Sequence, residues 1–346
     1  INLMNSQERI DFSRDLFNSG YRFGQNTNMI GYEGLLKQYY QGEIDYATFV
    51  GETQRLERSN TDWFDILTRD AVSTSHTASL SGGNNNMRYY ASLGYTNEED
   101  VIRGNSNKRY TASMKLDANL SRIFSVQLNI LGNVNNRDYV MDEINPLNYA
   151  YNTSRAIPAY AEDGELYYYK KGSTPINSYN YNVLNEIANS SNKQKSQSLN
   201  VSAIINARFN DWLKASVIGN IQSSYTNMEQ WWGEKSNHVA ILRTSEYGVN
   251  PPTGTNSTSS LPFGGELTTN NVRSNSYMVR AQLDFNKYIG STNHHNISAS
   301  VGFEMNSTQY DANLSVERGY YKDRGKQFSP IEIKDYPEYA LSLIHI

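Results

Sequence analysis

Tyr167, Tyr168 and Tyr169 in "GELYYYKKG", with Trp231 and Trp232 in "MEQWWGEK", are the side chains best suited to hold a ligand. Aromatic faces beside amides and hydroxyls fit a sugar ring or a peptide, because stacking supplies contact area while the polar groups fix orientation. The same chemistry would pack two long loops together or against a partner protein. Trp231 and Trp232 are the stronger candidates, since tryptophan is enriched at binding hot spots. The ionisable pairs offer less. Neighbouring residues of a strand point to opposite faces and no third ligand is in view, so His294 and His295 read as solvated histidines rather than a metal pair. Asp62 and Asp65 flank Trp63 and Phe64 at a helix start, where carboxylates favour the helix dipole over acid–base work. HExxH, GxSxG, GxxxxGK[ST] and GxGxxG are all missing, and there is no cysteine. We therefore expect no enzyme, no cofactor or metal site and no disulfide scaffold.

Composition bounds what positions these groups. Of the 346 residues only 38% are hydrophobic, and mean hydropathy is -0.66, low for a compact soluble enzyme of this length. Tyrosine occurs 27 times against 11 Phe and 4 Trp, so most aromatic surface carries a hydroxyl and suits a place that is wet at one end. A net charge of -4 without Lys/Arg blocks excludes nucleic acid as the partner, which would need a concentrated basic face. No run of about 18 apolar residues encodes a transmembrane helix, but a barrel strand needs only about 9 to 11 alternating residues. The chain opens on Ile1 without a signal-like segment and closes on "LSLIHI", residues 341–346, which resembles a translated library adapter. That hexapeptide is expected to be a sequencing scar, and the chain a fragment.

Residues 1–70 carry helical patterns. Asn5 and Glu8 stand at capping-box spacing and the first helix closes at Gly20. From Ala71 the period becomes two. Tyr89, Ala91, Leu93 and Tyr95 oppose Arg88, Tyr90, Ser92 and Gly94, and later runs near 110–120, 124–130, 199–209, 213–222, 277–285 and 297–305 repeat the alternation. With His76 to Ser81, about eight strands are expected over 71–310. Their connections are short at "GGNNN", "NLSR", "RFNDW" and "NKYIGSTNHH", and long at 137–193, at 227–271 and from 311 to 340. Long and short alternate, as in an up-and-down barrel with short periplasmic turns and long extracellular loops.

A soluble β-sandwich, such as a carbohydrate-binding module or an adhesin, also alternates and is the competing reading. The polar face favours the barrel: Lys115, Asp117, Arg208, Lys214, Arg280, Asp284 and Glu304 recur mid-strand while the apolar face is free of charge over about ten residues. Phe124, Phe209, Trp212, Phe285 and Tyr288 near the short turns suit an aromatic girdle at the edge of a bilayer. The expected fold is all-β, a partial transmembrane antiparallel up-and-down barrel with a helical N-terminal loop region.

"TDWFDILTRDAVSTSHTASLSGG", "RYYASLGYTNEEDVIRG" and "KRYTASMKLDANLS" resemble the signature run of SusC/RagA-type TonB-dependent outer-membrane transporters of Bacteroidota. "MNSQERIDFSRDLFNSG" is similar to the helical insert that precedes it, and "NVLNEIANSSNKQKSQSLNVSAIINARFNDWLKASVIGN" to a later strand pair. The resemblance covers most of residues 1–310. It implies a 22-stranded outer-membrane barrel around a plug, importing oligosaccharides or peptides with a SusD-like surface lipoprotein as its lid and TonB as its energy source. The plug and the TonB box are not in this sequence, so contact with TonB would fall to another part of the protein.

Overall fold

The computed structural model describes residues 3–23, 30–172, 177–249, 259–289, 295–328 and the backbone of 339–345. Helices come first: α1 (Ser6–Asn18), α2 (Gly31–Tyr40) and α3 (Tyr46–Arg58). The Asn5 side chain accepts from the Glu8 backbone N–H at 2.9 Å and the Glu8 carboxylate accepts from the Asn5 N–H at 2.9 Å, a reciprocal cap that fixes where α1 begins. Ile10, Tyr32, Leu36 and Leu56 bury one small core between these helices. Arg9–Glu33 at 2.7 Å and Arg14–Glu57 at 2.9 Å tie its rim. α4 (Trp63–Leu67) begins on Asp62, whose carboxylate accepts from the Phe64 and Asp65 N–H groups and also pairs with Arg155 at 3.2 Å. Asp62 is a helix cap, and its charge is spent there.

The sheet follows. β1 (Ser73–Gly83), β2 (Met87–Glu99), β3 (Ser106–Asn119) and β4 (Phe124–Tyr139) pair in sequence order. A connection holds α5 (Pro146–Asn152), a small hairpin of β5 (Tyr169–Gly172) and β6 (Ser178–Tyr181), and α6 (Val183–Ala188). β7 (Ser190–Arg208) and β8 (Leu213–Trp232) continue the sheet, and α7 (Asn237–Arg243) intervenes before β9 (Gly265–Ile289) and β10 (His295–Tyr321). Short β11 (Gln327–Phe328) and β12 (Tyr339–His345) both pair with β10. Among the described residues the eight long strands are the eight expected from alternation, every pairing is antiparallel, and the sheet does not close on itself.

Register turns eight amphipathic strands into one two-faced surface. Leu80, Ala91, Met114, Ile130, Val201, Ile221 and Tyr277 stand side by side across β1 to β9. One residue along, Lys115, Asn129, Ser202 and Asn220 form the matching polar row. A one-residue slip in any pair would exchange the two faces, so this register is what the alternation specifies. No second sheet covers the apolar face among the described residues: Leu80, Leu93, Ile221, Val301 and Phe303 are 63–69% exposed. A sandwich requires that face to be packed against a partner sheet.

Three expectations about boundaries change. β7, β8, β9 and β10 run for 19, 20, 25 and 27 residues, far beyond a band of about 10 residues, and β10 continues through Tyr321 into the segment expected to be loop. The loops therefore narrow to 140–189 and 233–264. The cause is that stretches such as "NKQKSQS" (192–198) are strand without apolar residues to mark the period. Trp231 and Trp232 are consequently the last two residues of β8, paired with Ser191 and Ser190, and not loop residues. Lastly, residues 339–345, which include most of the expected scar, pair with 309–315 of β10. An open sheet edge offers donors and acceptors to any extended segment.

Candidate functional site

The helices and long connections gather at one end of the sheet, opposite the short turns, and share a second core. Trp63 and Leu67 of α4 meet Tyr149 of α5, Tyr181 and Val183 beside the hairpin, and Trp232. Trp63 stands edge-on to Tyr149 at 5.0 Å and donates its indole N–H to the Ser154 carbonyl at 3.3 Å. The Tyr169 hydroxyl donates to that of Tyr149 at 3.2 Å. Burial pushes the Tyr149 phenol up to about 12 and raises Tyr169 and Tyr181 as well, so all three stay protonated.

A buried carboxylate organises the floor of this layer. Both Glu186 oxygens accept from the Asn237 backbone N–H, at 2.9 and 3.0 Å, and Oε1 also accepts from the Asn185 amide at 3.0 Å. Burial raises its pKa, while the Asn237 and Asn185 hydrogen bonds and the nearby Lys171 charge pull it down. A second network links strands to loop. Glu266 of β9 accepts from Arg318 of β10 at 2.9 Å and meets His238 of α7 at 3.1 Å, and His238 lies flat on Trp232 with ring centres 4.6 Å apart. Burial works against the Glu266 charge, but His238 and Arg318 outweigh it and hold its pKa below the ordinary carboxylate value. The network's contribution should therefore persist at neutral pH and vanish as pH falls through that depressed value, releasing α7. Hydrogen exchange at residues 237–243 across an acid titration checks this; protection that rises on acidification contradicts it.

The predicted ligand residues separate. Tyr167, Tyr168 and Tyr169 line a cleft of about 410 Å³ with Gln38, Glu52 and Arg55 of α2 and α3. Arg55 lies 5.5 Å over the Tyr167 ring, and Tyr168 donates to the Asn185 side chain at 3.2 Å. Trp232 is buried in the shared core beneath Tyr167 and Tyr169, whereas Trp231 points to the other face of β8, with the Lys322 ammonium 4.1 Å from its ring centre. Tyr169 and Trp232 thus have the packing role, Tyr167 is half-buried against the same core, and Tyr168 keeps open surface. Replacing Tyr168 with Phe should leave folding within about 1 kcal/mol, as one part-exposed hydrogen bond is lost; a melting shift far larger would contradict that placement. Glu186 and the Glu266 network were not singled out from the sequence, since isolated acidic residues give no signal before the chain folds them inward. His294 lies outside the described residues, and His295 opens β10.

No family model matches the chain. It is 44% identical over 61 residues to the TonB-dependent receptor SusC of Bacteroides thetaiotaomicron, covering 18% of this chain and 6% of that one. It is 26% identical over 176 residues to the TonB-dependent receptor P26 of Formosa agariphila, covering 50% and 15%. A solved structure of the RagAB peptide transporter superposes over 99% of this chain and 37% of that one, with TM-score 0.68 and 18% identity. The sequence is thus similar to TonB-dependent receptors, and the fold to that of the RagAB peptide transporter. The chain spans about a third of the transporter chain it superposes on, and at this identity the likeness shows the fold alone.

Phe124, Phe209, Trp212 and Phe285, expected as a bilayer girdle, stand at the short-turn end of the sheet. Trp212 and Phe285 meet edge-on at 5.4 Å, Lys287 covers Trp212 at 5.3 Å, and Phe124 and Phe209 are exposed. Tyr288 is a correction. Three residues beyond Phe285 in an unbroken strand, it falls on the polar face and cannot join the girdle. A second group of aromatics was not singled out from the sequence. Tyr95 and Tyr110, ring centres 5.0 Å apart, and Tyr277 close the other end of the apolar band. Each is the last apolar member of its run, a position only the pairing register makes significant.

Proposed function

We propose that this chain contributes an arc of an outer-membrane barrel that imports oligosaccharides or peptides, with a SusD-like lipoprotein over its loop end and TonB energising transport through another part of the protein. The observation that carries the reading is the single sheet with one bare, charge-free apolar face between two aromatic girdles. Lipid would cover that face and the polar face would line a wet passage. Short turns would lie in the periplasm, and the helical layer with the Tyr167–Tyr168 cleft would face outward, where a ligand or lipoprotein meets it. The names of the relatives support uptake across the outer membrane as the general role. Oligosaccharide and peptide are both compatible with tyrosines beside Arg55 and Glu52.

Expression of the complete gene should give a detergent-dependent outer-membrane protein whose gel mobility shifts on heating. An epitope placed at residue 163 should be reachable on intact cells, and one at residue 85 should not. A product that is monomeric and soluble without detergent would sink the proposal in favour of a surface-binding module.

A further inference from the structure

We propose that the apolar face carries a binding groove for one phosphorylated glycolipid of the outer leaflet, of lipid A chemistry. This rests on the reading that the face meets the membrane. The groove, about 1290 Å³, lies between two rows of side chains. One wall runs across the strands from His76 through Tyr95, Tyr110, Gln197 and Tyr225 to Arg273, and the other holds Leu93 and Leu199. Ala78, Ala112 and Gly132 share the row of Leu93 and Leu199, and their small size leaves the gap that opens the groove. An almost wholly apolar recess of about 530 Å³ continues it toward Leu80 and Met114.

Direction matters. On β1 the row stands at His76, seven residues from Gly83, while on β9 it has climbed to Arg273, sixteen residues from Ile289. The groove thus rises diagonally, from the upper girdle at Tyr95 and Tyr110 to Arg273 beyond it. Its floor suits saturated chains, and its upper end is cationic.

Two cationic stations stand there. Lys108 and Lys195 flank Asn136 in the row directly above the groove, on strands about 10 Å apart, so their ammonium groups and the amide between them can close on one phosphate. Arg273 forms the second station beside Tyr225. All three cations are exposed, and within the described residues none has a hydrogen bond or an ion pair. Asp311 stands opposite Arg273 in register but accepts instead from Gln309 at 3.5 Å. Lys193, by contrast, is drawn 3.9 Å from Asp138 and is left out of the site. A phosphorylated disaccharide head is wide enough to touch both stations, whereas a glycerophosphate head reaches one. That difference favours the glycolipid over a phospholipid.

The test uses the full-length protein extracted from outer membranes in mild detergent, with bound lipid counted by native mass spectrometry. The wild type should carry lipid A. Lys108→Gln, Lys195→Gln and Arg273→Gln should each lower its occupancy about fivefold, the worth of one basic residue near an anionic membrane surface. Gly132→Leu, which fills the groove where a side chain meets only ordinary contacts, should lower it while heat-shifted mobility stays intact. Equal retention by all four variants, or full displacement by phosphatidylglycerol at equal concentration, would overturn the assignment. A wild-type protein that inserts yet carries no phosphorylated lipid overturns the lipid site alone, whereas one that never inserts overturns the membrane reading beneath it.

Discussion

Val217→Arg should cost about 2–4 kcal/mol of folding stability in a bilayer, the penalty for a cation near the midplane of a barrel's lipid face. Ser216→Arg, its immediate neighbour, should cost little. The two positions belong to one strand and differ only in face: Val217 is exposed in the apolar row with Ile205 and Ala281, and Ser216 accompanies Asn206 and Gln282 on the polar side. A soluble sheet would reverse the outcome or erase the difference, because water receives arginine on either side. Denaturant titration of the full-length protein in lipid vesicles, read by tryptophan fluorescence, measures both variants. Equal effects would contradict the assignment of faces.

Glu186→Ala should destabilise the loop layer by about 3 kcal/mol without disturbing the sheet. The substitution strands the buried Asn237 N–H and the Asn185 amide, and each orphaned donor costs about 1–3 kcal/mol. Glu186→Gln should lose less, since one acceptor oxygen remains. The pH behaviour supplies an independent check. Burial raises the Glu186 pKa above its unfolded value, so the folded state binds the proton more readily. Its contribution is then largest below the ordinary carboxylate value and declines as pH rises through the raised one. Glu266 titrates the other way, so the layer should be most stable between the two transitions. Glu186→Gln should remove the upper transition only. Hydrogen exchange at α6 and α7 reads the effect; unchanged protection in Glu186→Ala would contradict the role given to this carboxylate.

Sheet architecture was legible because its signal is local. Alternating residues at 89–95 or 297–305 declare a strand regardless of what lies far away, and short turns at "GGNNN" and "RFNDW" fix antiparallel neighbours. Strand ends were not legible: at "NKQKSQS" backbone pairing continues where apolar residues stop, so β7 to β10 overrun every estimate. Tyr288 shows the complementary error, since proximity to a turn placed it in a girdle that only strand parity could grant. The loop layer was the least readable part. Tyr167, Tyr168, Tyr169, Trp231 and Trp232 stood out by composition, yet which of them packs and which stays open depends on contacts between residues far apart, such as Trp232 with His238 and Tyr167 with Arg55. The buried Glu186 and the Arg318–Glu266–His238 bridge are made of ordinary charged residues, and only the folded chain distinguishes them from solvated ones.

Because this chain contributes no cysteine, single cysteines can report each face in turn. Cysteines placed one at a time from Asn220 to Tyr225 in the full-length protein, embedded in outer-membrane vesicles, should react with a membrane-impermeant maleimide at 220, 222 and 224. Position 221 should be protected, with protection fading at 223 and 225 where the strand leaves the bilayer. An alternating pattern with the even positions labelled is what a barrel wall with lipid on one side and water on the other predicts; uniform labelling, or protection at the even positions, would contradict it.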